Sequence, residues 1–196
     1  MSSLEEEVSD NDLVAKTKKG DASAFDDLIR KYHGRLYGLI YHMTSNHEDT
    51  NDLLQDVFSK TFQVIGTFKR ESSFYTWIHR IAVNMTLNFL KKRNRRQHSS
   101  LDNSEEHLES DPGFLAAAHK EDPRHLINMQ EFQKKLTVAM DQLSGQHRAV
   151  VTLFDIQGIS QSEIAKILKT TEGTVRSRLF YAHQQLKNSL QEFNVK

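Results

Sequence analysis

Apolar residues recur at steps of three and four through most of this chain, and its only prolines are Pro112 and Pro123. That step is the period of a helix buried along one face. Together with long stretches rich in Leu, Lys, Gln and Glu it predicts an all-α fold. Phe25, Leu28, Ile29, Tyr32, Leu36, Leu39, Ile40 and Met43 mark one such face. A second helix is expected to start near Asn46 or His47, where Glu48 and Asp49 suit the positive N-terminal end. Its buried stripe reads Leu54, Val57, Phe58, Thr61, Phe62 and Ile65, and Gly66 breaks it. After the polar loop FKRESS, Ser73 is placed to cap a third helix carrying Phe74, Trp77, Ile78, Ile81, Met85 and Leu87. That helix runs into KKRNRR at residues 91–96, a charge that suits a helix C-terminus.

The pattern divides the chain into two small helical domains joined by a flexible linker. Residues 1–12 read as a flexible tail, 13–96 as a first domain, 97–122 as an exposed polar linker and 123–196 as a second domain. The linker has room for one helical turn around Phe114–His119. In the second domain Leu126, Met129, Phe132, Leu136, Ala139, Met140 and Leu143 form a stripe, punctuated by Ser144 and Gly145. Val150, Val151, Leu153, Phe154 and Ile156 form the next helix, ended by Gly158.

The net charge of zero hides a segregation. Residues 1–60 carry a net of −5, residues 69–96 a net of +7, residues 101–122 a net of −6 and residues 160–196 a net of +3. Two basic islands between acidic stretches suggest two polyanion-binding surfaces, although solvated helix ends would give the same charge pattern. The absence of cysteine excludes disulfides and thiolate metal sites and fits a reducing cytosol. No apolar run approaches the roughly 20 residues of a membrane span, and MSSLEEEVSD lacks a signal-peptide pattern. A cytoplasmic chain without membrane insertion is therefore expected. The ten histidines are scattered, and HExxH, a phosphate loop and a nucleophile elbow are all missing. Neither His42 with His47 nor His119 with His125 makes a convincing ligand pair. No enzyme activity, metal or cofactor is expected.

The most specific local signal is ISQSEIAKILKTTEGTVRSRLFYAHQQLKNSL. Ser160 and Glu163 have capping-box spacing. Ala165 is small where two helices must approach closely. Ile164, Ile167 and Leu168 face inward, KTTEG is a turn, and Thr171 can cap the next helix. Val175, Leu179, Ala182, Leu186 and Leu190 form the buried face of that helix, leaving Arg176, Ser177 and Phe180 on other faces. This is the arrangement of a helix-turn-helix, whose second helix enters the major groove.

A helix-turn-helix alone would also describe a free-standing regulator that binds duplex DNA as a dimer. The rest of the chain points elsewhere. SFYTWIHRIAVNMTLNFLKKRNRR closely resembles the promoter-melting segment of extracytoplasmic-function sigma factors. GDASAFDDLIRKYHGRLYGLI and EDTNDLLQDVFSKTFQVIGTF resemble the preceding segment of the same domain. LSGQHRAVVTLFDIQGISQSEIAKIL and TEGTVRSRLFYAHQQLK resemble the family's last domain, and the subtype looks sigma-E-like.

The resemblance implies a stress-response transcription factor that joins core RNA polymerase at the β′ clamp helices and the β flap. It would bind promoter DNA and be held inactive by an anti-sigma factor. Asp52, Gln55 and Asp56 share one helix face, and the matching face in the family docks on the β′ clamp helices. The −10 element would meet Lys69, Arg70, Ser73, Phe74, Tyr75, Trp77, Arg80, Asn84, Lys91, Lys92 and Arg93, with Arg95 and Arg96 near phosphates. A loop with hydrogen-bonding groups can hold a base taken out of the stack, and aromatic rings can stack on bases. The spacing of Trp77 with Ile81 also suits the core. The −35 duplex would meet Thr174, Arg176, Ser177, Arg178, Phe180 and Tyr181. Tyr181 stands where related recognition helices often carry another base, so the −35 preference is expected to be related to the common AAC-containing motif without necessarily matching it.

Overall fold

The computed structural model describes residues 9–99 and 123–191, with side chains for 9–96 and 131–191. Among the described residues there is no strand. Helix α1 spans Asp10–Lys18. It begins inside the stretch read as a tail because Ser9 is extended and its hydroxyl accepts the Asp12 N–H. Leu13 and Val14 then bury against α2, Ala22–Thr44. Asp21 caps α2 by accepting from the Ser23 and Ala24 N–H groups, and the Ser23 hydroxyl that donates to it, followed by those backbone bonds, lowers its carboxyl pKa. The helix ends on Ser45 in the left-handed region at φ 55°, with its N–H on the Tyr41 carbonyl.

Asn46 caps α3, His47–Val64, through the Asp49 N–H at 2.9 Å, with Glu48 and Asp49 in the first turn as the sequence predicts. The expected stripe is corrected at one place. Phe62 is 51 % exposed, while Leu53, outside the predicted set, is buried. Phe62 lies at the rim of the α2–α3 contact, leaning on Phe25 with ring centroids 5.0 Å apart. A short 3-10 turn, Ile65–Thr67, absorbs the break at Gly66. The Ser73 hydroxyl accepts the Thr76 N–H at 3.1 Å and starts α4, Phe74–Ser99, which continues three residues into the stretch read as linker. The turn imagined at Phe114–His119 lies outside the described residues.

Helix α5 is Pro123–Asp141, and α6 is Gly145–Val151, capped by Ser144. The expected second stripe of this half does not stay α-helical. Residues Thr152–Ile156 widen into a π-turn, and Gly158 closes it at φ 67°. Helix α7, Gln161–Leu168, and helix α8, Glu172–Ser189, follow. One buried cluster joins Leu36, Ile40, Ile78 and Val83 of the first four helices to Val150, Ile164 and Val175 of the last four and to Leu153 of the π-turn. Helix α4 packs on α2 and α3 from one side and on α6 and α7 from the other.

Candidate nucleic-acid interface

Helices α7 and α8 form the helix-turn-helix. Ser160 accepts the Glu163 N–H at 3.3 Å, Lys169 closes α7 in the left-handed region at φ 49°, and Thr171 accepts the Thr174 N–H at 3.1 Å. Ala165 is buried between the helices, and Val175, Leu179 and Ala182 hold α8 in the core. Their burial turns the other faces outward. Arg176 and Ser177 are exposed, Thr174 and Arg178 half-buried. Phe180 and Tyr181 are 63 % and 58 % exposed, edge to face at 5.4 Å. Two large apolar rings in water beside two arginines make a surface that costs solubility unless a partner covers it. One turn further, His183 Nε2 meets the Asp155 carboxylate at 2.7 Å and ties α8 to the π-turn.

The second basic island is less uniform. Lys69, Ser73, Asn84, Lys91 and Lys92 are exposed, and Arg80 is half-buried. Arg70 takes a left-handed φ of 61° and donates to the Asn11 carbonyl at 3.2 Å. The Lys18 ammonium donates to the Phe68 carbonyl at 2.6 Å and pins the start of the loop. Phe74, predicted as a stacking ring, is 2 % exposed and lies in the core. Trp77 is half-buried against Phe68 and Phe74, at 5.2 and 5.7 Å. Arg93 bonds the Asp49 carboxylate at 3.1 Å and the Thr44 carbonyl at 3.3 Å, so it clasps the end of α2 to the start of α3.

Tyr75 keeps one half-buried ring, stacked on His79 at 3.9 Å with the Arg35 guanidinium 5.9 Å from its centroid. Burial raises the Tyr75 phenol pKa. His79 was missed in the sequence, although its i+4 spacing from Tyr75 was the signal. It is fully buried, its Nδ1 faces the Tyr75 carbonyl at 2.8 Å, and burial pushes its pKa down to about 4. It is therefore a neutral imidazole stacked on the half-buried Tyr75 ring.

On α3, Asp52, Gln55 and Asp56 are all exposed. Phe62 lies seven residues beyond Gln55, two turns along the same face. The patch thus combines carboxylates, an amide and an exposed ring, the surface that an amphipathic basic helix would complement. Among the described residues no group of His, Asp and Glu is arranged to hold a metal, and no helix is long and apolar enough to cross a membrane.

Residues 14–96 match the sequence model of Sigma-70 region 2, and residues 139–188 match that of Sigma-70, region 4. The chain is 34 % identical over 182 residues to the RNA polymerase sigma-H factor of Pseudomonas aeruginosa, spanning 93 % of this chain and 94 % of that protein. It is 32 % identical over 190 residues to the ECF RNA polymerase sigma-E factor of Escherichia coli, spanning 96 % and 97 %. Its fold is shared with the sigma factor RpoE of Bartonella quintana, solved with the anti-sigma factor NepR. That likeness has a TM-score of 0.65 at 22 % identity over 85 % of this chain and 96 % of that one.

Proposed function

The chain belongs to the extracytoplasmic-function branch of the sigma-70 family, and from that premise we propose which of its residues meet polymerase and promoter. It is a promoter-directing RNA polymerase sigma factor and not an enzyme. The observation that carries the reading is the pairing, in one chain and in family order, of a region 2 match over 14–96 with a region 4 match over 139–188.

Residues 13–96 form the unit that binds core polymerase and the −10 element, and residues 123–196 the unit that binds the −35 duplex. The exposed patch of Asp52, Gln55 and Asp56 docks on a basic helical partner, the β′ clamp helices. Arg176, Ser177, Phe180 and Tyr181 enter the major groove at −35, where an arginine paired bidentately with guanine discriminates by about 1–3 kcal/mol. The unpaired −10 strand is held by the 68–73 loop, Tyr75, Trp77, Arg80 and Asn84, with Lys91 and Lys92 on its phosphates. Phe74 and Arg93 serve by holding this surface in place, since one is in the core and the other clasps α2 to α3. The protein works in the cytoplasm, in a stress response, under an anti-sigma factor like the one bound to the Bartonella quintana relative.

The test is run-off transcription with bacterial core polymerase on a library of sigma-E-like promoters. The chain should yield promoter-dependent transcripts, and their absence on every template would overturn the reading. The double substitution Asp52→Lys with Asp56→Lys should lower core affinity about tenfold or more by opposing the basic clamp. Unchanged core affinity, measured by co-elution, would remove that patch from the interface.

A further inference from the structure

Helix α1 carries no residue assigned to promoter or polymerase, yet it grips the 68–73 loop at two places. Lys18, in the last turn of α1, donates from its ammonium to the Phe68 carbonyl at 2.6 Å, with the same ammonium 5.9 Å from the Phe68 ring centroid. Two turns earlier on the same face, the Asn11 carbonyl accepts from the Arg70 guanidinium at 3.2 Å. Val14 lies between these two points and is 0 % exposed.

Helix α1 is itself fixed. Leu13, Val14 and Thr17 are buried. The Asp10 carboxylate accepts the Tyr32 hydroxyl of α2 and pairs with Lys31 at 3.0 Å. The Tyr32 ring in turn meets Phe74 at the start of α4, edge to face at 5.5 Å. The loop thus leaves one anchored frame and enters another.

The loop shows the strain that such a grip sustains. Among the described residues three that are not glycine take a positive φ, and two of them, Ser45 and Lys169, close helices α2 and α7. Arg70 closes none. A left-handed arginine persists only where its surroundings determine it, and its own bond to Asn11 does so here. Phe68 is 3 % exposed and held, whereas Lys69, Glu71 and Ser73 stay exposed. The loop therefore has fixed anchors at 68 and 70 and a free polar edge beside them.

We propose that Lys18 is a positioning residue for −10 recognition. Through the Phe68 carbonyl it sets the shape in which the loop meets an unpaired base, and Arg70 serves the same end from inside the loop. This rests on the reading of the 68–73 loop as the place where the −10 strand is held. A base out of the stack is read by hydrogen-bonding groups that stand in fixed places. A loop free to sample many shapes loses affinity and selectivity to the entropy of ordering. Two bonds to a rigid helix remove part of that cost before the strand arrives.

Trp77 is the only tryptophan of the chain, and its ring lies 5.2 Å from that of Phe68, so its fluorescence reports on the anchored end of the loop. The test compares the full-length parent with Lys18→Met, which keeps a long side chain without a donor, and with Lys18→Arg, which keeps a donor. Run-off transcription is read by sequencing from templates randomised across the −10 and −35 elements. Lys18→Met should lower discrimination at the −10 base held by the loop about threefold to tenfold, with the −35 logo and core affinity unchanged. Its Trp77 emission should shift to the red and become more open to acrylamide quenching. Lys18→Arg should restore both readouts. An unaltered −10 logo in Lys18→Met would overturn the proposal. So would an equal loss at −35, a fall in core affinity, an unmoved Trp77 spectrum, or Lys18→Arg behaving as Lys18→Met. If the parent gives no transcript on any template, the reading as a sigma factor fails instead, and Trp77 quenching in the three proteins still decides whether Lys18 holds the loop.

Discussion

His79 is the residue on which burial weighs most clearly. Tyr32 and Tyr75 pack edge-on and face-on against it, and the charges nearest to it are those of Arg35 and Glu163. Its folded pKa of about 4 lies below the ordinary 6.5 because the buried site disfavours the imidazolium. The unfolded chain therefore binds the proton more readily. The neutral side chain's full contribution is present above pH 6.5 and is lost as pH falls from there toward 4. Urea unfolding should show about 2 kcal/mol less stability at pH 5 than at pH 7 from this group. His42, whose pKa burial also lowers, adds in the same direction. Comparing His79→Phe with the parent isolates the share of His79: the substituted protein should lose that part of the slope, and an identical slope in both proteins would refute the assignment. Gly145 acts by what it lacks. Gly145→Phe pushes a ring at Leu87 and Leu90, where overpacking costs about 1–3 kcal/mol. It should lower the urea midpoint of unfolding, and an unchanged midpoint would contradict the close approach of Gly145 to Leu87 and Leu90.

At the scale of the element, helix starts were the most legible part of the sequence. Asn46, Ser73, Ser160 and Thr171 cap the helices they were expected to cap, because a cap needs only its neighbours within three residues. Where a side chain's partner is distant, the pattern failed. The spacing of Ser160 and Glu163 suggests a reciprocal box, yet the Glu163 carboxylate goes to Thr76, 87 residues away, and to Lys166 at 3.3 Å. Phe62 keeps helical spacing with the stripe of α3 but sits at the exposed rim of the α2 contact, which no single-helix pattern can locate. The candidate DNA surface divides in the same way. Helix α8 leaves Arg176, Ser177, Phe180 and Tyr181 exposed and Thr174 and Arg178 half-buried, whereas Phe74 is buried in the core and Arg93 bonds Asp49. For α8 the expectation is direct. Arg176→Ala should flatten the base preference at one −35 position by about 1–3 kcal/mol in selected-site sequencing, and an unchanged logo would exclude base reading by that side chain.

At the scale of the molecule, the apolar cluster runs unbroken from the first four helices into the last four. Two domains that share a core should unfold together. Calorimetry of the free protein should show one transition with equal calorimetric and van't Hoff enthalpies. Gly145→Phe should broaden or split it, and two resolved transitions in the parent would contradict the shared core. The face that α4 turns to α6 and α7 has another consequence. Among its valine and leucines stand Thr76, His79 and Thr86: the Thr76 hydroxyl meets Ser73 and donates to Glu163 of α7, His79 Nδ1 meets the Tyr75 carbonyl, and the Thr86 hydroxyl donates to the Ala82 carbonyl. A face of leucine alone would turn adhesive if the domains parted. This one carries hydroxyl and imidazole groups that water can reach, so exposing it should cost less than exposing a face of leucine alone.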